Sequence, residues 1–436
     1  MQPAMRIAAI RFGLGHRLGA AVPAEACDWL TAQIQPLPEA PGPSLADCMA
    51  SIRAQRANGF APGATLQEGV RRPGEIARDE GLAWARRMIA TEAPFAERMA
   101  EFWSNHLTVS RRRGQTVPVS GAYHRQAIRP HVFGRFEDML LASARHPGMM
   151  LYLDNGGSSG PNSQAGQRNN RGLNENYARE LLELHTVGVR GGYSQADVTS
   201  LALILTGWSI GRGAEFSEPD GFMFRPRAHE PGPKTLLGRE FLEGEEGGIA
   251  AIRFLANHPR THEFLATKLV RHFVADEPPA VAVRRVATKL AETGGDLAAT
   301  ARALVALPEA WGPPLTKLRA PQDFALAVLR GMGARDEAAP ALLGAIANMA
   351  QPLWTASGPN GWPDMAGEWA SPEQLMRRLD WVNQLAGRAG TPDARDVAEA
   401  TLGPLLSGET TNAVRRAGSA REAMVLLLAS PEFQRR

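Results

Sequence analysis

Two glutamates three residues apart, Glu180 and Glu183, carry the first chemical signal in the chain. At helical spacing they share a face, where paired carboxylates can converge on a divalent ion or share one proton. Arg179 adjoins both, and Glu175, Arg179 and Glu183 fall at i, i+4 and i+8. The same spacing therefore also describes an ion-paired, solvated helix face, and both readings stand. A second signal is His229-Glu230, inside Arg227-Ala228-His229-Glu230-Pro231-Gly232-Pro233-Lys234-Thr235. That segment has nothing apolar in which to hide an imidazole, so His229 can serve as a metal ligand or general acid/base, with Glu230 beside it. A third is the run Asp154 to Ser163, where Asp154, Asn155 and Asn162, with Asn174 and Asn176 downstream, place short oxygen donors on a glycine-rich backbone. Such a loop can coordinate calcium, although EF-hand spacing is missing; as a plain surface loop it would make side-chain-to-backbone turns.

Taken together, these residues describe a metal-dependent enzyme of unknown substrate: Glu180 and Glu183 bind a divalent ion, and His229 and Glu230 supply the catalytic groups. The identity of the ion is not specified by the residues. The competing reading is a non-catalytic binding or assembly protein. Its partner would meet the basic segment Arg111-Arg112-Arg113, Arg125, Arg129 and Arg135, or the tryptophan-bearing segment Gln351-Pro352-Leu353-Trp354, Gly361-Trp362-Pro363-Asp364 and Trp369. Three tryptophans there can line a sugar or peptide groove, or pack a long loop onto the core.

The elements that must position these residues read as helices, because apolar residues recur at three and four spacing and alternating strand patterns are scarce. Asn174 to Thr186 forms one helix, with Asn174 as cap and Gly188 as terminator. Winding at about 100° per residue puts Tyr177, Ala178, Leu181, Leu182 and Leu184 on one face, with Glu175, Asn176, Arg179, Glu180 and Glu183 opposite. His185 falls inside the apolar face. His106 does the same on the helix Ala93 to Val109, so both histidines are expected to be buried polar groups. Ser194 and Asp197 make a capping box, and Thr261 is expected to cap the helix carrying Phe264, Leu265, Lys268, Leu269 and His272. The expected fold is one large all-α domain over residues 1–436, with long irregular segments at Asn155 to Gly172, Gly211 to Gly238 and Gln351 to Trp369. Loop Asn155 to Arg171, rich in glycine and short polar residues, is expected to be mobile without ligand.

The 436 residues are 44% apolar and 21% charged, which excludes a disordered chain. A net charge of +3 is too small to imply nucleic-acid binding. Two cysteines, Cys27 and Cys48, exclude a disulfide scaffold and leave one bridge open. Gly13, Gly15 and Gly19 miss the dinucleotide-loop spacing, so no nucleotide cofactor is expected. The strongest apolar run, Leu201 to Leu205, is far too short for the ~20 residues of a membrane span. As written, the chain is a soluble cytoplasmic protein, and an exported one if its start is incomplete.

With these residues in view, the chain resembles the bacterial family catalogued as domain of unknown function 1800. The resemblance rests on Phe102-Trp103-Ser104-Asn105-His106, Leu153-Asp154-Asn155 through Asn162-Ser163, and above all the helix Asn174 to Thr186. Leu205-Thr206-Gly207-Trp208, His229 through Gly238, Asp276-Glu277-Pro278-Pro279 and the tryptophan segment add to it, covering about residues 95 to 385. It implies a predominantly helical fold, brings no activity with it, and implies a protein partner of sulfatase- or phosphatase-like type. Glu230 stands where the family more usually shows Asp.

Overall fold

Helices begin where the sequence fixes φ for them. Pro73, Pro94, Pro259, Pro321 and Pro372 each occupy the first position of a helix, where the missing N–H would have lacked an intrahelical partner. The structure is a computed structural model and describes residues 3–21, 23–57, 68–169, 172–211, 221–312, 315–388 and 390–436. Helix makes up 61% and strand 4%, in a mainly helical single domain. The strands form two small antiparallel hairpins, Trp208–Ile210 with Phe222–Phe224 and Lys234–Leu236 with Arg239–Phe241. The second closes through Leu237 and Gly238, both at positive φ, as a two-residue hairpin turn requires. No described helix is long and apolar enough to cross a membrane.

Two large apolar clusters hold the helices together. One gathers Phe95, Trp103, Tyr123, Phe136, Tyr177, Trp208 and Phe273. The other gathers Leu14, Trp84, Phe324, Val382 and Leu427. The helix Pro94–His106 joins them, since its Phe95 and Trp103 sit in the first cluster while Arg98 reaches Asp323, next to Phe324 of the second, at 2.6 Å. Ion pairs do similar joining elsewhere. Arg125 meets Glu80 at 2.8 Å, and Arg129 is buried on Glu97. These two arginines are therefore internal struts rather than part of an exposed basic face.

The helix Asn174 to Thr186 departs from uniform winding. It is α-helical over Asn176–Glu180 and then opens into a π turn over Leu181–His185. Asn174 caps it through Oδ1, which accepts from the Asn176 N–H at 2.9 Å. Gly188, at φ +81°, ends it by donating to the Leu182 carbonyl, and a Cβ there would lie 2.8 Å from the Phe264 ring. Ser194 and Asp197 form the expected capping box. Thr261 does not cap its helix: Pro259 occupies the first position, so the cap falls three residues earlier at His258, whose side chain accepts from the Arg260 N–H. Cys27 and Cys48 are both free.

The irregular segments are partly structured. Asn155–Gly157 is a 3₁₀ turn and Gln164–Asn169 a short helix, while residues 170–171 and 212–220, inside the expected loops, lie outside the described residues.

Candidate functional site

Glu180 and Glu183 lie on the outward face of the central helix, both partly exposed. Arg179 stands 3.5 Å from Glu183 and 3.7 Å from Glu175. Burial, and then the charge of Glu183, raise the Glu180 carboxyl above its ordinary range. Among the described residues no group of three or more His, Cys, Asp or Glu is placed to hold an ion.

His229, Glu230 and the oxygen-rich loop come together, but mainly through bonds to one another and to backbone. His229 Nδ1 donates to the Thr206 carbonyl at 2.8 Å, and Nε2 accepts from the Gly244 N–H at 2.8 Å and from Lys234 Nζ at 3.3 Å. Glu230 takes both the backbone N–H and the side-chain amide of Asn162, at 2.9 and 2.6 Å. Gly160 passes so close that a Cβ would lie 2.3 Å from Glu230 Oε2. Asn155 donates to the Leu205 and Trp208 carbonyls, and Asn174 to those of Leu153 and Asp154. Asp154 pairs with Arg113, and the Asn176 side chain is exposed. No hydrogen bond or ion pair among the described residues links this cluster to Glu180 or Glu183. The cluster thus braces loop to hairpin, with both nitrogens of His229 already occupied.

His106 and His185 are buried as expected, and they lead to a different place. His106 Nε2 donates to the His185 carbonyl at 3.1 Å, which leaves Nδ1 as acceptor for Lys268 Nζ at 3.0 Å. Lys268 lies on the helix Pro259–Phe273, one turn before His272, so the two share a face. That face and the Glu101, Phe102, Asn105, His106 side of Pro94–His106 wall a cavity of about 320 Å³. Trp354, Trp362 and Asp364 close it from the tryptophan-bearing segment.

The fit of that segment is specified in detail. Asn105 Nδ2 donates to the Trp362 carbonyl at 2.9 Å, and Asn105 Oδ1 accepts the Trp362 N–H at 2.7 Å. Gly361, at φ +78°, lies so near that a Cβ would sit 2.4 Å from the Asn105 carbonyl. Ser110 reaches the Ala356 carbonyl, and the Arg111 N–H the Trp354 carbonyl, both at 2.7 Å. Trp354 itself is held at φ +50°, a strained conformation for a large side chain, and its buried Nε1 has no partner among the described residues. Asp276 anchors the far end by accepting from Lys317 and from the Ala366 N–H.

Charge inside the cavity is unevenly matched. Asp364 Oδ2 accepts from His272 Nδ1 at 3.0 Å, and Arg436 adds a contact at 3.3 Å to its other oxygen. His272 Nε2 is buried without a partner among the described residues. Burial holds the His272 imidazole down at about 4 despite Asp364, so near neutrality it is a neutral ring with its Nδ1 proton on the carboxylate and a free lone pair on Nε2. Of the cations lining the cavity, Arg271 donates to the Asp276 carbonyl, and Arg98 and Arg436 each find a carboxylate, in Asp323 and Asp364. Lys268 does not: no carboxylate lies within 4.0 Å of its Nζ among the described residues. Burial lowers its ammonium to about 8, Asp364 opposing and Arg271 assisting the shift. Such an amine is substantially neutral at mildly alkaline pH and can act as a base or nucleophile.

Lys268 and His272 belong to the expected helix, and Asp364 to the tryptophan segment, but sequence reasoning gave none of them a chemical role. The available signal was a lysine and a histidine on the apolar stripe of Phe264, Leu265 and Leu269, where an unpaired charge is costly. The sequence model of a family described as "Protein of unknown function (DUF1800)" matches residues 7–435, well beyond the 95–385 that the motifs cover. No curated protein and no solved structure matches.

Proposed function

The chain belongs to the DUF1800 family, and from that premise, which brings no activity with it, we propose that it is an enzyme whose centre is the cavity walled by Lys268, His106, His272 and Asp364. The carrying observation is the Lys268 amine, held on His106 Nδ1 at 3.0 Å without a carboxylate partner among the described residues, one helical turn from the His272–Asp364 pair. A poised amine and an imidazole oriented by a carboxylate are the parts of proton-transfer or nucleophilic chemistry. The cavity volume, at the lower end for small-molecule sites, fits a compact organic substrate. Trp354, Trp362 and Phe102 offer it faces to pack on, and Asn105, Gln322 and Gln351 offer hydrogen bonds.

A thermal-shift screen over small hydroxy, keto, amino and carboxylic compounds tests this reading. Compounds that stabilise the parent should lose their effect on Lys268→Met. Hits that survive Lys268→Met but vanish in Glu180→Gln with Glu183→Gln would move the centre elsewhere.

A second reading keeps a divalent ion on Glu180 and Glu183, with His229 and Glu230 as catalytic groups. Its support is the shared face of the two carboxylates and the raised Glu180. A protein partner of sulfatase- or phosphatase-like type, implied by the family resemblance, is compatible with either reading, and co-purification with such a protein tests it.

A further inference from the structure

The chain holds 48 basic Lys and Arg residues, of which only four are lysine: Lys234, Lys268, Lys289 and Lys317. In a chain that uses arginine almost everywhere, the places that keep lysine are informative, since only lysine can present a neutral amine. Lys317 is spent on Asp276 and Asp364, Lys234 on the Glu230 carbonyl, and Lys289 on Glu292 at the surface. Lys268 alone combines a cavity wall, a half-buried setting and a hydrogen bond only to an imidazole. Arginine there would keep the charge and lose the nucleophile.

Resting on the cavity reading above, we propose that the substrate is a small aldehyde or ketone that Lys268 captures as an imine. Neutral Lys268 keeps one N–H on His106 Nδ1, which leaves its lone pair available to the carbonyl carbon. Attack forms the C–N bond and moves the carbonyl π electrons onto oxygen. The nitrogen loses a proton as the oxygen gains one, giving a neutral carbinolamine. Transfer of the second N–H proton to the hydroxyl lets it leave as water, which yields the imine and one water with nothing oxidised or reduced. The Nε2 of His272, which has no partner among the described residues, is the group suited to pass the first proton from nitrogen to the alkoxide and then to relay the second to the departing hydroxyl, with Asp364 stabilising the imidazolium between. His106, held by the His185 carbonyl and in contact with the amine, acts as a positioning residue.

The small number of lysines makes the test direct. The intact protein is incubated with glycolaldehyde, and separately with pyruvate, in the presence of sodium cyanoborohydride, which fixes an imine as a stable secondary amine. Peptide mapping then compares Lys268 with Lys289, a partly exposed internal reference on the same chain. At least tenfold faster modification of Lys268 by either probe, with a pH profile rising through about 8, is the expected result. Modification of Lys268 no faster than of Lys289 by both probes overturns the proposal. Acetylation of Lys268 with a midpoint near 8 in that second case would leave the cavity reading standing and remove only the carbonyl substrate. Failure of both labels would remove both. Lys268→Arg, which retains the cation, serves as the blank for adduct mapping.

Discussion

Replacing Lys268 by methionine should change how stability depends on pH, more informatively than it changes stability at any one pH. An ordinary lysine titrates near 10.5 and Lys268 in the folded chain near 8. Between those values the unfolded chain carries a proton that the folded chain has released, so stability rises with pH across that interval. The shift of about 2.5 pH units corresponds to about 3 kcal/mol, at ~1.36 kcal/mol per unit. Below pH 8 the parent bears the full cost of a buried ammonium, and above 10.5 it bears none. The methionine variant lacks this contribution at every pH, while its loss of the hydrogen bond to His106 adds a roughly constant ~1 to 3 kcal/mol. Denaturant unfolding of both proteins at pH 7, 8.5, 9.5 and 10.5 gives the difference, in which the titration of all other groups cancels. The parent should gain about 3 kcal/mol relative to the variant across the series. A difference independent of pH would refute the assignment of Lys268 as a desolvated amine without a carboxylate partner.

Other consequences can be checked with the same unfolding assays. His16 and His272 are held near 4 and His146 and His185 near 3 by burial, so the unfolded chain takes up protons first as pH falls. Stability should therefore decline from about pH 6.5 downward to about 4, and a flat profile over that range would contradict their burial as neutral rings. Arg129→Met, which strips the buried Glu97 of its closest partner, should cost about 3 kcal/mol, and a loss below about 1 kcal/mol would show that Arg87, 3.3 Å from Glu97, suffices. Gly361→Ala should cost about 2 kcal/mol through its positive φ and its approach to Asn105, and should weaken any cavity ligand through Trp362. If Glu180 and Glu183 hold a divalent ion, a chelator should lower the melting temperature of the parent and not of the double Gln variant. Identical responses to chelator, calcium, magnesium, zinc and manganese would exclude that site.

The helical fold was legible because periodicity and capping are local. Asn174, Gly188, Ser194 and Asp197 act where their chemistry predicts, as do the burial of His106 and His185. Uniform winding concealed the π turn at Leu181–His185, since an inserted turn leaves the sequence of apolar residues almost unchanged. The site was less legible, because exposed polar letters draw attention while a half-buried lysine on an apolar stripe does not. His229 stands out in a polar, proline-rich segment, yet besides Lys234 of that segment it is occupied by the Thr206 carbonyl and the Gly244 amide, 23 residues before it and 15 after. Asp364 and His272 are 92 residues apart, and nothing in their spacing announces that they meet. The tryptophans could be read either as groove or as packing, and the structure divides them: Trp354 and Trp362 line the cavity, while Trp369 is buried with its Nε1 on the Pro363 carbonyl.

The proposed chemistry turns on the state of one amine, and a total of four lysines makes that amine observable. Protein labelled with ¹³C and ¹⁵N only at lysine gives four side-chain signals, and the one missing from the Lys268→Met spectrum is Lys268. Its Cε shift, followed from pH 6 to 11, should titrate with a midpoint near 8. A midpoint near the ordinary 10.5 would mean a solvated or paired ammonium, and the cavity would lose the group on which its proposed chemistry rests.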